Sequence, residues 1–97
     1  MKSFDLTKEA KNDLRKIANY SEKQWGKKQR NFYIKQFDDV FHLLANSSSI
    51  GKKCDYIKKG YRKFPQNSHI IFYTEITNAK ILIIRILHKN MDVSSNL

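Results

Sequence analysis

Apolar positions recur along this chain with two different periods, and the change between them divides it into a helical half and a strand half. After Thr7, the positions Ala10, Leu14, Ile17, Ala18, Ser21 and Trp25 fall at helical spacing. Thr7 is a good N-cap, Glu9 sits in the first turn, and Gly26 supplies a terminator, so a helix is predicted from about Lys8 to Trp25. Tyr33, Phe37, Val40, Phe41 and Leu44 form a second stripe that dissolves into Asn46-Ser47-Ser48-Ser49, which predicts a helix from about Lys28 to Ala45. The short connection forces the two into an antiparallel hairpin. Ahead of them, Phe4 and Leu6 share one side of a short extended segment. Behind them the period shortens to two: Tyr61 to Phe64, His69 to Thr74 and Lys80 to His88 read as strands of an antiparallel meander. On the last strand Leu82, Ile84 and Ile86 are all apolar and are expected to face the helices, leaving Arg85 on the opposite face. The expected architecture is α+β: an N-terminal strand and an antiparallel two-helix hairpin packed on one face of a small antiparallel sheet. Residues 1–92 are expected to form a single domain, and 93–97 a flexible C-terminal tail.

Composition narrows what such a layer is for. At 97 residues there is room for one modest core, and a deep enclosed cofactor cleft would compete with it. Nineteen Lys and Arg against nine Asp and Glu leave a formal charge of +10, which suits an acidic partner such as nucleic acid or an acidic protein segment. The excess is concentrated in residues 50–90, with 9 basic and 2 acidic side chains. A single cysteine, Cys54, excludes an internal disulfide framework and points to a reducing cytoplasm. No apolar run approaches the ~20 residues of a membrane span.

Candidate chemistry is sparse. His42, His69, His88 and Cys54 show no metal-ligand spacing, and Gly26, Gly51 and Gly60 stand apart, so neither a metal nor a phosphate-cradling loop is expected. Arg62 and Arg85, with Lys63, His69, Tyr73, His88 and Lys89 near them in strand order, form either a basic surface for phosphate or acidic peptide, or a set of charges that protects sheet edges. Cleavage of RNA would need an acid, a base and cations, yet Glu75 is the only nearby carboxylate, and no catalytic residue is assigned. Most of Trp25, Phe32, Tyr33, Phe37 and Phe41 belong to the core, whereas Phe32 lies about 100° off the stripe, the rotation per residue of a helix, and is expected to line a groove where a partner segment docks.

Leu6-Thr7, Ala10, Asp13-Leu14, Ile17, Tyr20, Trp25-Gly26, Gln29 and Tyr33, then Gly51-Lys52, Gly60-Tyr61-Arg62-Lys63-Phe64, His69-Ile70-Ile71-Phe72-Tyr73 and the closing Arg85-Ile86-Leu87-His88 with Met91-Asp92, resemble the ParE toxins of the RelE/ParE superfamily. The resemblance spans roughly residues 4–92; Trp-Gly and the closing Arg-Ile-Leu-His with Met-Asp are its specific parts. It implies the toxin of a bacterial type II toxin-antitoxin pair, held in a hetero-oligomer by a ParD-type antitoxin and, once free, inhibiting DNA gyrase through its A subunit by trapping the cleaved DNA complex. Such a poison needs no catalytic residue, cofactor, metal or membrane. By their expected placement on the sheet side away from the helices, Arg62, Lys63, Arg85, His88, Lys89 and Met91 are candidates for gyrase inhibition, and Trp25, Lys28, Phe32 and Tyr33, beside the helical hairpin, for antitoxin binding. The RelE branch shares the fold but is a ribosome-dependent mRNA endoribonuclease, often with a C-terminal tyrosine; here the segment after Arg85 has none, which favours the gyrase poison.

Overall fold

The computed structural model describes residues 2–97. Strand β1 (Ser3–Leu6) leads into α1 (Lys8–Trp25) and α2 (Lys27–Asn46). A single 3-10 turn (Ser48–Ile50) then enters β2 (Lys52–Lys53), followed by β3 (Tyr61–Gln66), β4 (His69–Thr77), β5 (Lys80–His88) and a short α3 (Val93–Asn96). The predicted helices and the three meander strands are all present. Thr7 Oγ1 accepts from the Ala10 N–H at 3.0 Å, capping α1 as expected. Gly26 alone separates the helices, and its φ of 89° lies in the left-handed region that glycine tolerates. Its N–H donates to the Glu22 carbonyl while its own carbonyl accepts from Arg30, so one residue ends α1 and begins α2.

The sheet has the order β1-β5-β4-β3-β2. Its meander is antiparallel, whereas β1 pairs with β5 in parallel, from Ser3 beside Lys80 to Leu6 beside Ile83. The two-residue edge strand β2 has too little pattern to be read from sequence. Ala10 and Ile17 of α1 and Phe37, Phe41 and Leu44 of α2 pack on Ile71, Tyr73, Ile81, Ile83 and Ile86 of the sheet. The far face is also covered. Cys54 and Ile57 from the β2–β3 connection and Val93 of α3 pack there on Phe72 and Leu87. Burial pushes the Cys54 thiol pKa up, which suits a packed, unreactive side chain.

The expected facing of β5 is corrected by a register shift. Phe72 stands opposite Arg85 while the next residue, Tyr73, stands opposite Ile83, so Ile84 is extra. The bulge resets the alternation: Ile81, Ile83 and Ile86 face the helices, and Ile84 joins the far-face cluster. Tyr73, grouped from sequence with the basic surface, is buried on the helix side. Its hydroxyl donates to the Ser48 carbonyl at 2.6 Å and accepts from the Gly51 N–H at 2.9 Å.

Candidate functional site

An open groove of about 930 Å³ runs between the helical hairpin and the end of the sheet. Tyr20 and Trp25 of α1, Phe32 and Tyr33 of α2, Ile86 and His88 of β5, and Met91 line it. Several of these apolar side chains are left in solvent: Tyr20 is 62% exposed, Trp25 65%, Phe32 58% and Met91 51%. Tyr20 and Trp25 meet edge to face at 6.1 Å and together form one aromatic wall. An exposed apolar patch with a polar rim, here including Lys16, Gln29 and Gln36, is the usual signature of a docking surface.

Trp25 therefore corrects the helical wheel. Its spacing aligns it with the buried stripe of α1, but the buried positions are Ala10, Asp13, Ile17 and Ser21, and Trp25 leaves the core at the last turn. Phe32 stands off the core in the groove as expected, and Tyr33 sits between core and groove. Lys28, in the exposed first turn of α2, is outside the lining.

The floor of the groove is polar. Tyr33 Oη and His69 Nδ1 lie within hydrogen-bond distance at 3.2 Å, and the rings of His69 and His88 meet edge to face at 5.4 Å. They come together because His69 and His88 are directly paired on β4 and β5. The Asn90 N–H donates to His88 Nδ1 at 3.2 Å. Burial is the main cause that lowers the His69 pKa, and the neighbouring His88 lowers it further, partly offset by Asp13. His69 therefore binds a proton less readily in the folded chain than in the unfolded one. Its contribution to stability is complete above the ordinary imidazole value of about 6.5 and is lost as the pH falls from there through the folded value. Melting temperature is expected to fall as the pH is lowered below about 6.5, and His69→Gln should flatten that slope. An equal slope in the variant would assign the acid sensitivity to other groups.

The basic candidates do not form one surface. Arg85 reaches round the edge of β5 to Asp13 of α1, with Nε donating to Oδ2 at 2.7 Å and Nη2 to Oδ1 at 3.0 Å. Its Nη1 donates to the Asn96 carbonyl of α3 at 2.8 Å. The hydrogen bond from Arg85 to Asp13 raises the guanidinium pKa further. The expected placement of Arg85 on a free sheet face is thus corrected to a structural anchor. Arg62, opposite Tyr73, lies on the helix-side face of the sheet, and its Nη1 donates to the Gly51 carbonyl at 2.8 Å. Lys63 points to the other face, with Nζ 3.1 Å from Tyr56 Oη. Lys89 is exposed, and its N–H donates to the Ser68 carbonyl. His88 and Met91 instead share the groove with Trp25, Phe32 and Tyr33, so two sets that the sequence keeps apart meet.

Asp13 is the residue whose role sequence reasoning missed. Its signal was present: Ala10, Asp13 and Ile17 share the spacing of one helix face, and a carboxylate on a buried face needs a partner. The partner is 72 residues away.

A family model described as ParE toxin of type II toxin-antitoxin system, parDE, matches residues 4–93. The chain is 32% identical over 97 residues to Toxin ParE1 of Caulobacter vibrioides, covering 100% of this chain and 99% of that protein. It is 34% identical over 92 residues to Toxin ParE1 of Mycobacterium tuberculosis, covering 95% and 94% of the two chains. In structure it is similar to a chain of the chromosomal ParDE toxin-antitoxin system from P. aeruginosa, with a TM-score of 0.74 at 18% identity over 91% of this chain and 96% of that one.

Proposed function

This chain belongs to the ParE toxin family of type II toxin-antitoxin systems, and from that premise we propose that it inhibits DNA gyrase and is silenced by a ParD-type antitoxin segment seated in the aromatic groove. The observation that carries the antitoxin half is the exposure of Tyr20, Trp25, Phe32 and Met91 along one groove of a +10 protein. An amphipathic acidic segment covers those side chains and pairs a carboxylate with Lys16 on the rim. Because His88 and Met91 line the same groove, a seated antitoxin also covers part of the surface offered to the target. Neutralisation is then direct occlusion.

The toxic half is binding rather than catalysis. A ligand that prefers the cleaved gyrase-DNA state shifts the population toward breaks without performing a chemical step. Arg62 and Arg85 spend hydrogen bonds on holding the fold, so Lys63, His88, Lys89 and Met91 are the candidates left to meet gyrase. Purified toxin with gyrase and supercoiled plasmid should accumulate linear DNA, and an antitoxin C-terminal peptide should suppress it. No inhibition and no linear product removes the gyrase reading. Phe32→Ala should weaken peptide binding by about tenfold, the size of one anchoring side chain. Unchanged affinity in both Phe32→Ala and Lys28→Glu moves the antitoxin elsewhere. The ribonuclease reading of the fold is favoured only by the Tyr33, His69 and His88 cluster, and it requires cut mRNA when the toxin meets translating ribosomes.

A further inference from the structure

The second concentration of unused chemistry lies at the opposite end of the sheet from β1. Residues 52–63 carry Lys52, Lys53, Lys58, Lys59, Arg62 and Lys63 against one acid, Asp55. Among the described residues none of the six forms an ion pair with a carboxylate. Folding brings like charges together rather than apart: Lys52 stands directly opposite Lys63, and Lys53 opposite Arg62. Such pairs are destabilising across an antiparallel ladder. Lys53, Lys59 and Arg62 line a shallow pocket of about 330 Å³. The two carboxylates beside it are engaged with neutral donors, Asp55 by the Gly60 N–H at 2.9 Å and Glu75 by the Ser48 hydroxyl.

Edge protection accounts for Lys52 and Lys53 on the short edge strand, but Arg62 and Lys63 belong to an inner strand and Lys58 and Lys59 to the loop. An acidic peptide is a poor fit. The edge strand is only two residues long, which offers little ladder for strand addition. Bases are a poor fit too, because both tyrosine rings are occupied: Lys63 Nζ stands 5.7 Å from the Tyr56 centroid and Lys58 Nζ 5.8 Å from that of Tyr61. What five lysines with no carboxylate partner do fit is a set of phosphates read as charge alone.

We propose that the β2–β3 edge, through Lys52, Lys53, Lys58, Lys59 and Lys63, is a docking site for the phosphate backbone of duplex DNA. Binding is independent of sequence and strongly weakened by salt. The inference goes beyond the gyrase reading and does not depend on it, since bare DNA is the ligand. Under that reading it supplies the DNA-facing half of a toxin that meets gyrase and DNA together.

The test measures fluorescence anisotropy of a labelled duplex of about 20 base pairs, over about 50 to 200 mM salt, the range in which counterion release is steep. The variant Lys52→Glu/Lys53→Glu/Lys59→Glu is compared with Lys8→Glu/Lys11→Glu/Lys23→Glu, which changes net charge equally on the exposed face of α1. Circular dichroism checks that both are folded. The edge variant should bind at least about tenfold more weakly at low salt, with the log-log salt slope reduced by about 0.9 for each phosphate no longer neutralised, while the α1 variant keeps its slope. Equal weakening in both variants would mean attraction by net charge alone and overturn the proposal. So would unchanged binding by the edge variant, or tighter binding of an RNA duplex or a polyglutamate competitor than of DNA. Because gyrase is absent, a failure here leaves the gyrase reading standing, and a failed cleavage assay leaves this one standing.

Discussion

Asp13→Ala is expected to lower stability by about 3 kcal/mol or more, the cost of removing one partner from a buried ion pair. For a domain of this size that corresponds to a fall in Tm on the order of 15 °C in a thermal melt. The size follows from what one carboxylate holds. Strand β1 ends at Leu6 beside Ile83, so the edge of β5 beyond it would be bare. The chain dresses that edge with α1: the Thr7 N–H donates to the Ile83 carbonyl at 3.0 Å, and the Thr7 hydroxyl to that of Ile84 at 2.7 Å. Asp13 Oδ2 then accepts from the Ile86 N–H at 3.0 Å as well as from Arg85. Removing the carboxylate strands a buried amide and a mostly buried guanidinium together, and each is costly when left unpaired.

Companion variants separate charge from shape. Asp13→Asn keeps an acceptor for Ile86 and should cost less than Asp13→Ala. Asp13→Leu/Arg85→Met replaces both charges with apolar groups and should recover much of the stability. If Asp13→Ala melts within a few degrees of the parent, the pair is not the anchor described. A functional consequence follows for Arg85→Ala. Loss of toxicity in that variant would report a weakened fold as readily as impaired target binding, so Lys63 and Lys89 are the cleaner positions at which to test inhibition.

Gly51→Ala is expected to cost about 3 kcal/mol although the backbone there suits any residue, with φ −71° and ψ 147°. Space is the reason. A Cβ on Gly51 would stand 2.1 Å from Tyr73 Oη and 2.7 Å from two of its ring carbons. Tyr73 is buried and cannot give way without breaking its bonds to Ser48 and Gly51. Overpacking contributes about 1 to 3 kcal/mol and each displaced hydrogen bond about 1 kcal/mol. Chemical denaturation should show the change as a lower midpoint with unchanged slope. Pairing the change with Tyr73→Leu should cost less than the sum of the two single variants, because the ring is then gone; strict additivity would sink the explanation.

The two anchors differ in how legible they are from sequence. Helical spacing places α1 from Lys8 to Trp25, and the Tyr33, Phe37, Phe41 and Leu44 stripe places α2, because the 3.6-residue period is written locally and Gly26 ends it without help from the rest of the fold. The facing of β5 is misread from sequence because alternation assumes an unbroken ladder, and the extra residue at Ile84 is visible only when β4 and β5 are laid side by side. Trp25 shows the same limit at a helix end. Its position on the wheel matches the stripe, but the sheet does not extend far enough to cover it, and it lies open in the groove.

The candidate site divides along the same line. Phe32 could be assigned to a groove from its angle on one helix, and the family could be recognised from short local motifs with their spacing. That Asp13 neutralises Arg85 across 72 residues, that His69 and His88 become neighbours, and that His88 and Met91 meet Trp25 and Phe32 were decided by strand pairing and helix packing. Sequence by itself determined the two long helices, the three meander strands, the net positive charge and the surplus of cations in residues 50–90. The tertiary structure alone decided which cations are tied to carboxylates in holding the fold and which remain without such a partner on the surface. Spacing along one chain fixes only near neighbours, whereas a charge is free or spent according to what lies across the sheet from it.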